Sequence, residues 1–92
     1  MYLGGMASIR FDWDPRKAVA NLHKHGISFD EAETAYYDDY AAVLEDPDHS
    51  DEEERFLLLG MSAALRVLLV VHAVHESGEI IRIVSARKAT PI

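Results

Sequence analysis

The chain has no cysteine among its 92 residues, which excludes disulfides, thiolate metal sites and cysteine nucleophiles. Nothing in that absence argues for export, and the cytoplasm is the expected compartment. Long apolar runs are also missing. The run from Val67 to Ala73 is interrupted by His72 and falls far short of the roughly 18 residues of a spanning helix. The opening residues Met1 to Met6 lack the basic start and apolar stretch of a signal peptide, and Met6 offers an alternative initiation site. Basic residues are scarce, 9 Lys and Arg against 16 Asp and Glu. That balance is unfavourable for a protein that holds phosphates.

The distribution of charge changes this reading. Residues 1–37 carry four basic and five acidic groups, residues 38–54 carry none and nine, and residues 55–92 carry five and two, for nets of −1, −9 and +3. The acidity is gathered in one segment, and the C-terminal part is mildly basic and suited to a polyanion. Apolar residues make up 49% and charged residues 27%, as in an ordinary globular chain with one core. Residues 1–8 are expected to form a poorly ordered leader and residues 9–92 a single domain.

From Ile9 to Trp13 apolar and polar residues alternate with period two, which predicts a short strand. Asp14-Pro15 starts a helix, with a carboxylate at the N-cap and proline where a missing N–H costs nothing. Ala18, Leu22 and Val19 form the expected apolar side, Lys24 and His25 sit in the last turn, and Gly26 is placed for a left-handed cap. Ser28 and Glu31 have capping-box spacing, so a second helix is expected to run to about Tyr37. Ala41 to Glu45 reads as a strand, and Asp46 to Glu54 as a polar loop. Arg55 to Ser62, Arg66 to His75 and Ile80 to Ala86 then form an antiparallel meander, with turns at residues 63–65 and at Ser77-Gly78. The expected class is α+β, in the order β-α-α-β-β-β-β, with both helices packed on one face of a mostly antiparallel sheet.

Phe11-Asp12-Trp13-Asp14-Pro15, with Lys17, Asn21, Lys24-His25-Gly26 and Phe29-Asp30-Glu31-Ala32, resembles the opening signature of the BrnT toxins. Asp46-Pro47-Asp48-His49-Ser50, Glu54-Arg55-Phe56, Gly60, Val71-His72 and the stretch from Ile81 to Thr90 resemble the rest of that family's pattern, in the same order. The likeness runs from about Arg10 to Thr90. It implies a RelE-like fold whose C-terminal helix is missing or truncated here, and cleavage of RNA independent of ribosomes. It also implies neutralisation by a BrnA-like ribbon-helix-helix antitoxin, through which alone operator DNA would be bound. No cofactor, metal or membrane is called for, and a homodimer is conceivable when the antitoxin is absent.

Metal-free RNA cleavage by 2′-hydroxyl attack needs a base, cations for the phosphorane charge and an acid for the departing oxygen. The catalytic candidates are Lys24, His25, Glu54, Arg55, Arg82 and Arg87, with Lys88 and Trp13 as substrate contacts. Arg82, Arg87 and Lys88 form the densest positive group, and guanidinium offers paired donors that stay charged. Plainer roles stand beside these. Arg82 could pair with an acid across the sheet, Lys24 and His25 could serve only the helix dipole, Glu54 and Arg55 could be a strand-entry ion pair, and Trp13 could be core. His72, alone in an apolar strand, reads as a hydrogen-bonded core residue. Asp46, Asp48 and Ser50 mimic the start of a calcium loop, but Pro47 and Asp51 spoil the match. His23, His25, His49 and His75 lack the spacing of a zinc site. The competing function is an inactive binding module that acts only as antitoxin partner and co-repressor.

Overall fold

The computed structural model describes residues 9–47 and 54–89. The leader, the Asp48 and Ser50 positions of the calcium-like motif, His49 and the residues from Thr90 onward lie outside them. Strand β1 is Arg10–Asp12, helices α1 and α2 are Pro15–His25 and Phe29–Thr34, and strands β2 to β5 are Ala42–Glu45, Arg55–Met61, Val67–His75 and Ile80–Lys88. Single 3-10 turns at Ala35–Tyr37 and Glu76–Gly78 distinguish this succession from the one expected. The second helix is correspondingly shorter than the capping pattern suggests.

Helix α1 begins and ends as its residues dictate. The Asp14 carboxylate accepts from the Arg16 N–H, Pro15 occupies the first turn, and Gly26 takes φ 71° while its N–H donates to the Leu22 carbonyl. Ser28 Oγ likewise accepts from the Glu31 N–H at 3.0 Å. The Glu31 carboxylate, however, reaches across to Arg66 and Ser62, so it does not close the capping box.

The sheet is ordered β1-β5-β4-β3-β2. The expected meander of β3, β4 and β5 is present, and β2 joins it by a third antiparallel pairing, but β1 returns to lie parallel to β5, pairing Phe11 with Ile81 and Asp12 with Arg82. The sheet is therefore mixed. Both helices cover one face, where Ile27, Phe29, Ala32 and Tyr36 meet Leu58, Leu68, Val70, Ile81, Ile83 and Ala86 in the core. The apolar side expected for α1 is only half realised. Val19 is 66% and Leu22 52% exposed, and Asn21 is the residue the helix buries.

Asn21 sits where β1 has ended and the outer edge of β5 would otherwise be bare. Its Nδ2 donates to the carbonyls of Ala86 (2.8 Å) and Ile27 (2.9 Å), and its Oδ1 accepts from the Ala86 N–H at 3.1 Å. One side-chain amide thus does the work of a neighbouring strand and ties the interhelical corner to the sheet.

On β3, Gly60 lies under the 3-10 turn: a Cβ there would stand 2.8 Å from the Ala35 carbonyl oxygen and 3.1 Å from the Ala41 Cβ. Gly60→Ala is expected to destabilise the protein by about 2 kcal/mol through this clash with backbone, measured as a lower midpoint in urea denaturation.

Candidate active site on the open sheet face

Alternation along β5 would place Arg82 and Arg87 on opposite faces, since they are five residues apart. An irregularity in the ladder prevents this. His72 pairs with Ile83 but Val71 pairs with Ser85, so Val84 is an extra residue and the facing pattern shifts by one. Arg82 is then opposite Ala73 and Arg87 opposite Leu69. Both arginines consequently share the face that carries no helix.

Across that face runs a row of paired residues, Asp12 on β1, Arg82 on β5, Ala73 on β4 and Arg55 on β3. Arg82 Nη1 donates to Asp12 Oδ2 at 2.6 Å. This is the cross-sheet pairing that the plainer reading of Arg82 anticipates, and it still leaves the guanidinium with further donors. Because both groups are substantially exposed, with side chains 40% and 49% accessible, the pair is a weak stabiliser and mainly fixes the guanidinium plane. Ala73 is fully buried and is flanked by an arginine on either side. The two arginine Cα atoms are separated by two strand spacings, roughly 10 Å, a gap that a phosphodiester held by two guanidinium groups can fill.

At the end of the row, Asp12, His75, Glu76, Ile80 and Arg82 line a cleft of about 400 Å³. Glu76 pairs with Arg10 at 3.8 Å. The cleft therefore gathers an imidazole, two carboxylates and a guanidinium. Sequence reasoning missed His75 and Glu76 as site residues, because only the parallel return of β1 puts Asp12 beside them. Their position at the end of β4, opening a tight turn, was the one available signal.

The remaining candidates are placed elsewhere. Lys24 and His25 line a second, shallow groove with Lys17, Asn21, Val84 and Ser85, between α1 and the uncovered edge of β5. Glu54 is exposed just before β3. Lys88 does not join Arg82 and Arg87. Its Cα partner is Leu68, on the helix-covered face, and there it helps to hold the Glu31 carboxyl below the usual carboxylate range. The main cause of that lowering is the hydrogen bond from Arg66. The dense cationic group expected at 82, 87 and 88 is thus split by strand alternation. Trp13 packs edge-on against Phe29 at 5.9 Å and lines a groove with Val19 and Leu22, on the helix side of the sheet.

His72 is buried and not catalytic in placement. Its Nδ1 lies 2.6 Å from the Tyr36 hydroxyl and its ring stacks on Phe56. Burial pushes the imidazole down to about 4 and the Tyr36 hydroxyl upward, so the neutral ring accepts and the phenol donates. Among the described residues no three His, Asp or Glu side chains converge as a metal site would require. No described helix is long and apolar enough to cross a membrane.

Residues 13–91 match the family model described as the ribonuclease toxin BrnT of type II toxin–antitoxin systems. No curated protein matches the sequence. Among solved structures, the chain is similar to the Brucella abortus ribonuclease toxin BrnT, with a TM-score of 0.66 and 22% identity, over 90% of this chain and 99% of that one.

Proposed function

Since the chain belongs to the BrnT family of ribonuclease toxins of type II toxin–antitoxin systems, we propose that it cuts RNA without a metal ion, in the cleft at the end of the open sheet face. Membership makes RNA the substrate and an antitoxin the partner. The observation that carries the location is the row Asp12, Arg82, Ala73, Arg55, with His75 and Glu76 at its end.

In this reading the ribose 2′-hydroxyl gives its proton to Glu76 or His75 as its oxygen bonds to phosphorus. The bond from phosphorus to the 5′ oxygen breaks, and that oxygen takes a proton from the other group, leaving a 2′,3′-cyclic phosphate and a 5′-hydroxyl. Arg82 and Arg55 hold the charge that builds on the non-bridging oxygens. Asp12 orients Arg82. Lys24 and His25, with Lys17, bind the backbone of the same strand farther along β5, beside Val84 and Ser85, and Arg87 lies beyond them on the open face. Glu54, exposed beside Arg55, attracts no substrate in this scheme. The antitoxin is a BrnA-like ribbon-helix-helix protein, and contact with operator DNA passes through it.

The test is cleavage of bulk RNA by the purified chain in excess EDTA. Wild-type protein is expected to cut, Arg82→Ala to lose on the order of 100-fold in rate, and Arg55→Ala to lose about tenfold with its melting temperature kept. A folded wild type that binds antitoxin but leaves RNA whole would instead make the chain a binding module. Cleavage unchanged in Arg82→Ala would reduce Arg82 to the surface partner of Asp12.

A further inference from the structure

An antiparallel sheet covered on one face by helices ordinarily shows polar residues on the other. This one does not. By register, the open face of β2, β3 and β4 on the side of Arg55 and Ala73 away from the cleft presents Ala42 and Leu44, then Leu57, Leu59 and Met61, then Val67, Leu69 and Val71. No polar residue is among them. The strands have the composition of strands buried on both sides, yet Leu44 is 63%, Met61 44%, Leu59 42% and Val67 42% exposed. A contiguous apolar surface of this kind marks an interaction site.

We infer that an amphipathic segment of the antitoxin lies across this face, its apolar side on Leu44, Leu59, Met61 and Val67 and an acidic rim toward Arg87. This rests on the reading of the chain as a ribonuclease held in check by an antitoxin. Two observations favour that occupant. The apolar surface is continuous with the arginine row, because Val71 and Leu57 stand two residues from Ala73 and Arg55 on the same face. An occupant of the surface therefore shadows the phosphate site, as a neutralising partner must. Charge complementarity points the same way, since the exposed Arg87 borders the patch opposite Leu69 and calls for carboxylates. The patch carries no aromatic side chain on which RNA bases would stack.

The experiment is calorimetric titration of the purified cognate antitoxin into wild-type protein, Leu59→Glu, Val67→Glu and Val19→Glu, with light scattering of each free chain. Leu44→Glu, at the most exposed position, replaces any variant whose circular dichroism shows it unfolded. The open-face substitutions are expected to weaken binding at least 100-fold. Val19→Glu, on the α1 groove, is expected to leave it within threefold. Unchanged binding in the open-face variants overturns the inference. So does loss confined to Val19→Glu, which moves the partner to α1, or a wild-type dimer that Leu59→Glu dissolves without affecting antitoxin affinity. RNA cleavage by the free variants is measured separately and is expected to match wild type. A chain that cuts no RNA but loses antitoxin on Leu59→Glu fails the catalytic reading alone.

Discussion

Replacing Asn21 by Asp is expected to remove about 4 kcal/mol of stability, more than any other single exchange of similar size in this chain. The amide donates to two carbonyls and accepts from one N–H, and only this orientation satisfies all three. A carboxylate keeps the acceptor but turns a second oxygen toward the Ala86 and Ile27 carbonyls, in a place where Asn21 is 7% exposed. Repulsion and desolvation then add to the two lost bonds. Asn21→Ala, which leaves the three backbone groups without that partner but introduces no charge, is expected to be milder, at about 2–3 kcal/mol. Urea denaturation at pH 7 reads both as midpoint shifts at constant slope. Equal losses would mean that the charge is relieved by rearrangement, and no loss would mean that the amide does not close the sheet edge.

The second large effect is on acidification. Burial holds the His72 imidazole down at about 4 from the ordinary 6.5. The unfolded chain takes up this proton near pH 6.5 and the folded protein only near 4, so between those values the unfolded state binds more protons. Stability from this group is therefore complete above pH 6.5 and is lost as pH falls toward 4, by about 3 kcal/mol. Glu31, held below the carboxylate range mainly by its hydrogen bond from Arg66, acts in the same sense but begins only near the ordinary carboxylate value of 4.5. His72→Gln is expected to flatten the stability profile between pH 6.5 and 4.5 and leave the steeper fall below it. Denaturation midpoints at half-unit steps of pH make the comparison. A wild-type profile already flat from 6.5 to 4.5 would show that His72 is not kept neutral by the fold.

Much of the secondary structure was legible because it is written in local chemistry. Asp14-Pro15 and Gly26 bound α1, Ser28 starts α2, and the apolar runs of β3, β4 and β5 lie within a residue or two of where their composition puts them. What depends on long-range pairing was not. Nothing near Arg10 announces that β1 will lie beside Ile80, and nothing around Val84 announces the extra residue that brings Arg82 and Arg87 to one face. The candidate site divides along the same line. Arg55 and Arg82 were recognisable as cations in apolar strands, whereas His75 and Glu76 gain meaning only once Asp12 is across from them. Helix periodicity misled at Val19 and Leu22, because Asn21 takes the inward position in order to bond the β5 backbone. The apolar runs themselves could not distinguish a strand buried on two sides from one whose second side awaits a partner.

The pairing of the first strand with the last also sets a clock. Asp12 and Arg82 are 70 residues apart, so during synthesis the ribosome must add that length after Asp12 before the two can meet. At typical elongation rates this takes roughly 4 to 14 seconds. Closing so long a loop comes late in folding as well, since its entropy must be overcome before the contact rewards it. The open face of β2, β3 and β4 needs no such closure, because its strands are consecutive, and its last residue, Val71, is added 11 residues before Arg82. An emerging chain can thus display the surface inferred to receive the antitoxin before it owns a complete arginine row, which gives an inhibitor already present in the cell the first opportunity to bind.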